Sequence, residues 1–430
     1  MRAALFALLL GLTTGSAAGQ SQNLNLVGQL DPQPGGSYSD VWGYVGPDGR
    51  EYALLASWIV GGLNVIDVTD TVPVLEEHVP VNGDGSDVEA YSHYAYVTSN
   101  DDPTQVINLA DPTNPAPLGT FGPGRHTLSI AGNYLYTNGE GGVYIYSLAN
   151  PASPALVGQY NPGFYIHDVL VLGDVMYTAG IYGDGIDIVN IANRAAPTRI
   201  SRFNYPGSGA HNICADASGR YLYVGDEIGS GRWTRIFDVA DPMDVEQVGE
   251  IIIDASSTVH NCHVRGNFLF LAHYDRGAWV YDISDPVNPE QVGYYETGVS
   301  SWGVWSFFPH LPSGKLLASD IENGLIVLML DPIVANEGGP ETPNGPALAS
   351  VHPNPVRGSA GLRFTLGEAS SVRLAVYDGL GRQVAPLHDG VLGAGTHAAT
   401  FDATALPPGV YFARLEAGGR VATQALTVVR

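Results

Sequence analysis

Four histidines recur at one place in a repeating pattern. His126, His167, His211 and His260 each stand at the entrance of an apolar strand-like run, and the next residue is polar: Thr127, Asp168, Asn212 and Asn261. The equivalent positions elsewhere hold Ser39-Asp40, Ser86-Asp87 and Trp302. Imidazole is the commonest metal ligand, and several imidazoles with nearby carboxylates suit a divalent transition metal. Carboxylates and one more imidazole follow the second run of the units, at Glu140, Asp184, Asp226, Glu227, His273, Asp275, Asp320 and Glu322. The candidate ligand or metal set is therefore His126, His167, His211, His260, Asp168, His273, Asp320 and Glu322. Two other readings of the histidines stand beside it: hydrogen bonds to the backbone of a neighbouring repeat, and direct catalysis with an Asp or Glu activating water. Catalytic residues are not identified by any further pattern, since a GxSxG elbow, a Walker A loop, an HExxH motif and a CxxC pair are all absent from the sequence.

The elements that must position these residues follow from composition and period. The chain has 430 residues with 54 Gly and 29 Pro, 45 % hydrophobic and 14 % charged. That much apolar surface excludes a disordered chain, and so many helix breakers exclude a mostly helical one. The Tyr- and Val-rich runs between the breakers favour strands, giving an all-β protein. A net charge of −24 repels phosphate backbones and argues against nucleic-acid binding.

Self-comparison of residues 24–332 finds a unit in which a strand ends near Asp-x-x-Asp-Pro and a Leu-Val-Gly strand follows. The anchor positions 67, 108, 147, 190, 238, 282 and 328 are spaced 41, 39, 43, 48, 44 and 46 residues apart. Seven units of that length, each with four strand-like runs, suit a seven-bladed β-propeller. The last unit stops at Asp331-Pro332 without its Leu-Val-Gly strand, and an orphan copy, Leu26-Val27-Gly28, lies near the N-terminus. A closed ring needs that arrangement, with the N-terminal strand completing the last blade. The Asp-Pro segments themselves read as turn chemistry, and the calcium-like run Asn82 to Asp87 reads as a turn as well. The first strands then surround an axis, and the four imidazoles converge there from consecutive blades. Cys214 and Cys262 fall on adjacent first strands, which makes a disulfide and a pair of packed thiols the two alternatives. Trp42, Trp302 and Trp305 form either an aromatic lip for a glycan or propeller core.

The two ends differ from this middle. Residues 1–18 carry Arg2, an apolar core from Ala3 to Leu12 too short to span a bilayer, and Ser16-Ala17-Ala18, the pattern of a secretory signal peptide. No later segment is apolar for long enough to be a transmembrane helix. Residues 19–332 make the propeller, 333–347 a Pro/Gly linker, and 348–430 a small Ig-like β-sandwich of alternating strands.

In that last region His352-Pro353-Asn354-Pro355, Leu362-Arg363-Phe364-Thr365-Leu366, Val376-Tyr377-Asp378 and Gly409-Val410-Tyr411-Phe412 resemble a type A C-terminal sorting domain of the type IX secretion system. The resemblance implies a Bacteroidetes-like bacterium, contact with the type IX machinery, and export followed by release or surface attachment. The internal unit is similar to the LVIVD repeat. Ser39 to Tyr44, Glu51 to Leu54 and Gly62 to Asp67 carry a likeness to the choice-of-anchor B family, which brings no established activity. What this sequence supports is a secreted or cell-surface propeller that binds an extracellular glycan or protein, with a divalent metal at its axis as a candidate cofactor. A metal-dependent extracellular hydrolase is the alternative.

Overall fold

The computed structural model describes residues 20–298, 302–331, 347–352, 356–366, 370–378, 382–393, 395–404, 406–407, 409–417 and 420–428. The signal-peptide segment 1–18, most of the 333–347 linker, and Pro353, Asn354 and Pro355 of the sorting motif lie outside those residues. His352 ends the strand Ala347–His352. The chain divides into two compact units, 1–333 and 334–430.

Within the first unit the described residues form seven antiparallel sheets, all β, each with a core of four strands. Sheet 1 spans residues 38–79, sheet 2 88–124, sheet 3 127–160, sheet 4 168–203, sheet 5 210–251 and sheet 6 259–295. Sheet 7 takes three strands from residues 304–330, and its outer strand is the N-terminal Leu24–Leu30, paired with Gly324–Leu330. A further short strand, Ser21–Gln22, extends sheet 6. The first strands of the sheets neighbour one another in a closed cycle, sheet 7 returning to sheet 1.

Burial falls from the centre outward. Glu51–Ser57 and Gly62–Asp67 are buried at every position, as expected for strands covered on both faces, whereas Thr198–Phe203 at the outside of sheet 4 is largely exposed. The apolar clusters between sheets are built from two neighbours at a time. Tyr52, Leu54, Val65, Val97 and Ile107, for example, join sheets 1 and 2.

The repeat pattern now has a physical cause. Asp67, Asn108, Asn190, Asp238 and Asp282 each accept from the backbone N–H two residues on, at 2.7–2.9 Å, so the third strand ends in an Asx turn. At Gly158 and Gly28 the turn of the next sheet rests against the glycine of the outer strand: a Cβ on Gly158 would collide with the Arg194 carbonyl, and one on Gly28 with the Thr71 carbonyl. There the Asx turn and Leu-Val-Gly are two halves of one contact.

Cys214 and Cys262 are joined by a disulfide between the first strands of sheets 5 and 6, with Cα atoms 6.1 Å apart and 48 residues of separation. Closing a loop of that length in the unfolded chain stabilises the fold by up to about 4 kcal/mol on the chain-entropy account. The second unit holds two sheets, one of three strands and one of four, that share a core including Leu362, Phe364, Val376, Phe401, Leu415 and Leu426.

Reduction of this disulfide, or the double change Cys214→Ser with Cys262→Ser, is expected to lower the stability of the first unit by about 2–4 kcal/mol. Denaturant unfolding with and without reductant measures it, and coincident curves would show that the bridge contributes nothing.

Candidate functional site

The site begins with bulges in the first strands. In sheets 1, 5, 6 and 7 the pairing of first and second strand slips between Tyr38 and Val41, Ala210 and Asn212, Val259 and Cys262, and Val304 and Ser306. A bulge re-aims the side chain it carries. Here the bulged residues include Ser39, His211, His260 and Trp305, so the seventh sheet places Trp305, not Trp302, at the position equivalent to the histidines. The four imidazoles and that indole lie side by side, the first pair edge-on and the others tilted. Ring centroids are 4.4 Å apart for His126 and His167, 3.9 Å for His167 and His211, 4.0 Å for His211 and His260, and 4.1 Å for His260 and Trp305.

Backbone carbonyls in this ring receive bonds from the preceding sheet. Thr98 Oγ1 donates to the His126 carbonyl (3.0 Å), Thr127 Oγ1 to that of His167 (2.6 Å), and His260 Nδ1 to that of Trp305 (2.7 Å). The polar residue after the ring position works in the other direction. Asp87 accepts from Leu128 N–H at 2.8 Å and Asn212 from Cys262 N–H at 2.9 Å, with a longer contact of 3.4 Å from Val88 N–H to Asp40. Hydrogen bonding to the neighbouring backbone is therefore shared by both positions, and His167 and His211 contribute least to it. Nδ1 of His167 and both ring nitrogens of His211 are buried without a partner.

Two cavities meet at this layer. The first, about 640 Å³, is walled by Trp58, Tyr165, Tyr182, Tyr274, Trp302 and Trp305 over a floor of His126, His167, His211 and His260, with Glu227 as its one carboxylate among the described lining residues. The second, about 290 Å³, is lined by Asp40, Asp87, Glu89, Asp168 and His263, and His167 and His211 border it too. Asp168 thus faces the second cavity and is held by Asn212 Nδ2 and by its own neighbour's N–H, Val169.

The remaining candidates lie apart from the first cavity. His273 is buried beside Ser257 Oγ at 3.2 Å. Asp320 caps its own turn by accepting from the Glu322 and Asn323 N–H groups at 3.0 and 2.8 Å, and Glu322 is exposed on that turn. Asp226 is engaged by Arg235 and Tyr205. The carboxylate that reaches the histidines is Glu227, next in sequence to Asp226. Its Oε2 lies 3.7 Å from His211 Nε2, and its Oε1 accepts from Tyr274 Oη at 2.7 Å. The sequence places Glu227 in a loop on the histidine-bearing face but gives no sign that it, rather than Asp168, is the partner.

Burial sets the charges in both cavities. It drives His126 down to about 4 and His260 to about 3, and holds His167 and His211 well below the ordinary imidazole range, with the neighbouring imidazoles adding to the effect on the last two. Burial also pushes Asp168 up to about 8, with the Asp87 carboxyl adding to it, and raises Asp40 and Glu89 far above the ordinary carboxyl range.

Comparison with known proteins bears on the fold and on export. Residues 82–121, 126–162 and 258–297 match the LVIVD repeat, which covers sheets 2, 3 and 6. Residues 350–429 match the secretion system C-terminal sorting domain. The chain therefore carries LVIVD repeats and a type IX sorting tail, and such a tail directs a protein to the cell surface or the extracellular space. No helix among the described residues is long and apolar enough to cross a membrane. No protein of curated function matches the sequence. Among solved structures, the WD40 β-propeller domain of Doa1 aligns with a TM-score of 0.54 at 12 % identity, over 72 % of this chain and 97 % of that one. A candidate 6-phosphogluconolactonase from Bacteroides fragilis aligns with a TM-score of 0.51 at 15 % identity, over 70 % and 98 %. The extracellular domain of a candidate one-component system from B. thetaiotaomicron gives 0.52 at 13 % identity, over 83 % and 45 %. At these identities the likeness concerns the propeller fold alone.

Because the folded-state value of Asp168 is raised, the folded protein holds a proton that the unfolded chain has released between pH 4 and 8. Its contribution to stability therefore falls as pH rises through that window and levels off above pH 8. Asp168→Asn is expected to remove this loss and leave the variant more stable than the parent at pH 8, by roughly 2–5 kcal/mol. Unfolding curves of both proteins at pH 5 and pH 8 measure the difference, and parallel pH dependence in the two would contradict it.

Proposed function

We propose that this protein is a secreted seven-bladed β-propeller that captures an extracellular ligand in the aromatic cavity at its axis, acting as a binding module without catalysis. Residues 1–18 serve as the signal peptide, 19–332 form the propeller, and 348–430 form an Ig-like sandwich that the type IX machinery recognises after the 333–347 linker. The chain is assigned to the choice-of-anchor B group on its N-terminal motifs, with the sorting tail as its means of attachment or release.

One observation carries the binding reading: a cavity of about 640 Å³ walled by six aromatic rings, of which Trp302 (52 % exposed) and Tyr182 (71 % exposed) stand open to solvent at its mouth. Exposed rings beside a concave surface suit the flat apolar faces of a sugar or the side chains of a protein partner. The grouping of His167, His211 and Glu227 favours a second reading, a metal-dependent hydrolase. Binding is preferred because the described lining offers no second carboxylate to activate water, and burial makes His126 and His260 weak bases.

Quenching or enhancement of tryptophan fluorescence by cell-surface polysaccharide fractions tests the reading. The parent protein is expected to give a saturable change, and Trp302→Ala to weaken binding about 10-fold or more. Equal binding by parent and variant would remove the cavity from the function.

A further inference from the structure

We infer that the protein holds one first-row transition-metal ion at the floor of the aromatic cavity, bound by His167, His211 and Glu227. A ring nitrogen of each histidine and a carboxylate oxygen of Glu227 lie within 4.8 Å of one another. The 3.7 Å between His211 Nε2 and Glu227 Oε2 is too long for a hydrogen bond. It is close to the separation of about 3.4 Å expected between two donors each about 2.1 Å from one tetrahedral ion.

A second observation is what these donors lack. His211 is 2 % exposed and His167 6 % exposed, yet both nitrogens of the first and Nδ1 of the second have no hydrogen-bond partner. An unpaired polar group in a dry site costs about 1–3 kcal/mol, and donation of a lone pair to a cation removes that cost. His211 Nε2 is the ring nitrogen that faces Glu227, and it offers its lone pair there.

Glu227 is oriented in the manner of a ligand. Tyr274 Oη occupies Oε1, which leaves Oε2 for the ion. Two imidazoles and one carboxylate select Zn²⁺ and its neighbours over Ca²⁺ and Mg²⁺, which prefer oxygen donors throughout. Three protein ligands leave a fourth position open to the cavity. The acidic residues of the second cavity do not compete on these terms, because Asp87 and Glu89 already accept from the Leu128 and Ile130 N–H groups.

The assignment stands apart from the identity of the captured ligand, and the test keeps the two separate. Secreted protein without a histidine tag, stripped with chelator and titrated calorimetrically with Zn²⁺, is expected to take up one equivalent. Glu227→Gln and His211→Gln weaken that binding by about 100-fold or more, and Tyr274→Phe by about 10-fold. His126→Gln, whose ring is bonded to Asn100, and Trp302→Ala leave it within about twofold. Circular dichroism and melting of the metal-free variants check the fold, and Glu227, being only half-buried, is the change the fold tolerates best. Absence of saturable Zn²⁺ uptake by the parent, or uptake unaltered in a folded Glu227→Gln, overturns the assignment.

Discussion

Side chains on the first strand of one sheet hydrogen-bond the backbone of the first strand of the next, and the rest of the molecule depends on those bonds. They are short links between adjacent first strands around the axis: Thr127 to the His167 carbonyl, Asp87 to the Leu128 N–H, Asn212 to the Cys262 N–H. Backbone groups that cannot reach a strand partner at the axis would otherwise be buried unpaired. Asp87, Thr127 and Asn212, each the polar residue after a ring position, meet that demand. A carboxyl in this role must give up water, and the raised values of Asp40 and Asp87 record the electrostatic cost.

At the periphery, cohesion comes from a different device. At Gly28 and Gly158 the turn of the next sheet fits where the outer strand has glycine, so that backbone meets backbone without a Cβ between them. The N-terminal strand Leu24–Leu30 takes the outer place in sheet 7 and leaves no gap in the cycle. The disulfide then fixes two neighbouring first strands beside the histidines. An oxidising compartment suits that bond, in agreement with a tail that directs export.

Most of the fold was legible because each repeated residue type has a local cause. Asp-x-x-Asp announces a turn and Leu-Val-Gly a close approach, and neither depends on distant sequence. The alignment of the four histidines was legible for the same reason. The carboxylate partner was not. Asp168 adjoins His167 in sequence but lines the second cavity and not the first, while Glu227 reaches His211 from a loop that follows another strand. The seventh ring position was misread because a bulge at Trp305 shifts the register there, and Trp302 offers the same residue type three positions earlier. Bulges are set by pairing between strands, which a single stretch of sequence does not reveal.

Four uncharged imidazoles lie side by side at the axis, and two of the buried ones, His167 and His211, are free to serve a ligand. Histidine-selective NMR of the ring nitrogens during a pH titration addresses this most directly. His126, His167, His211 and His260 are expected to stay neutral from pH 8 to pH 5, each well below the ordinary value of 6.5. Protonation of His167 and His211 near pH 6.5, as for imidazoles in water, would contradict it.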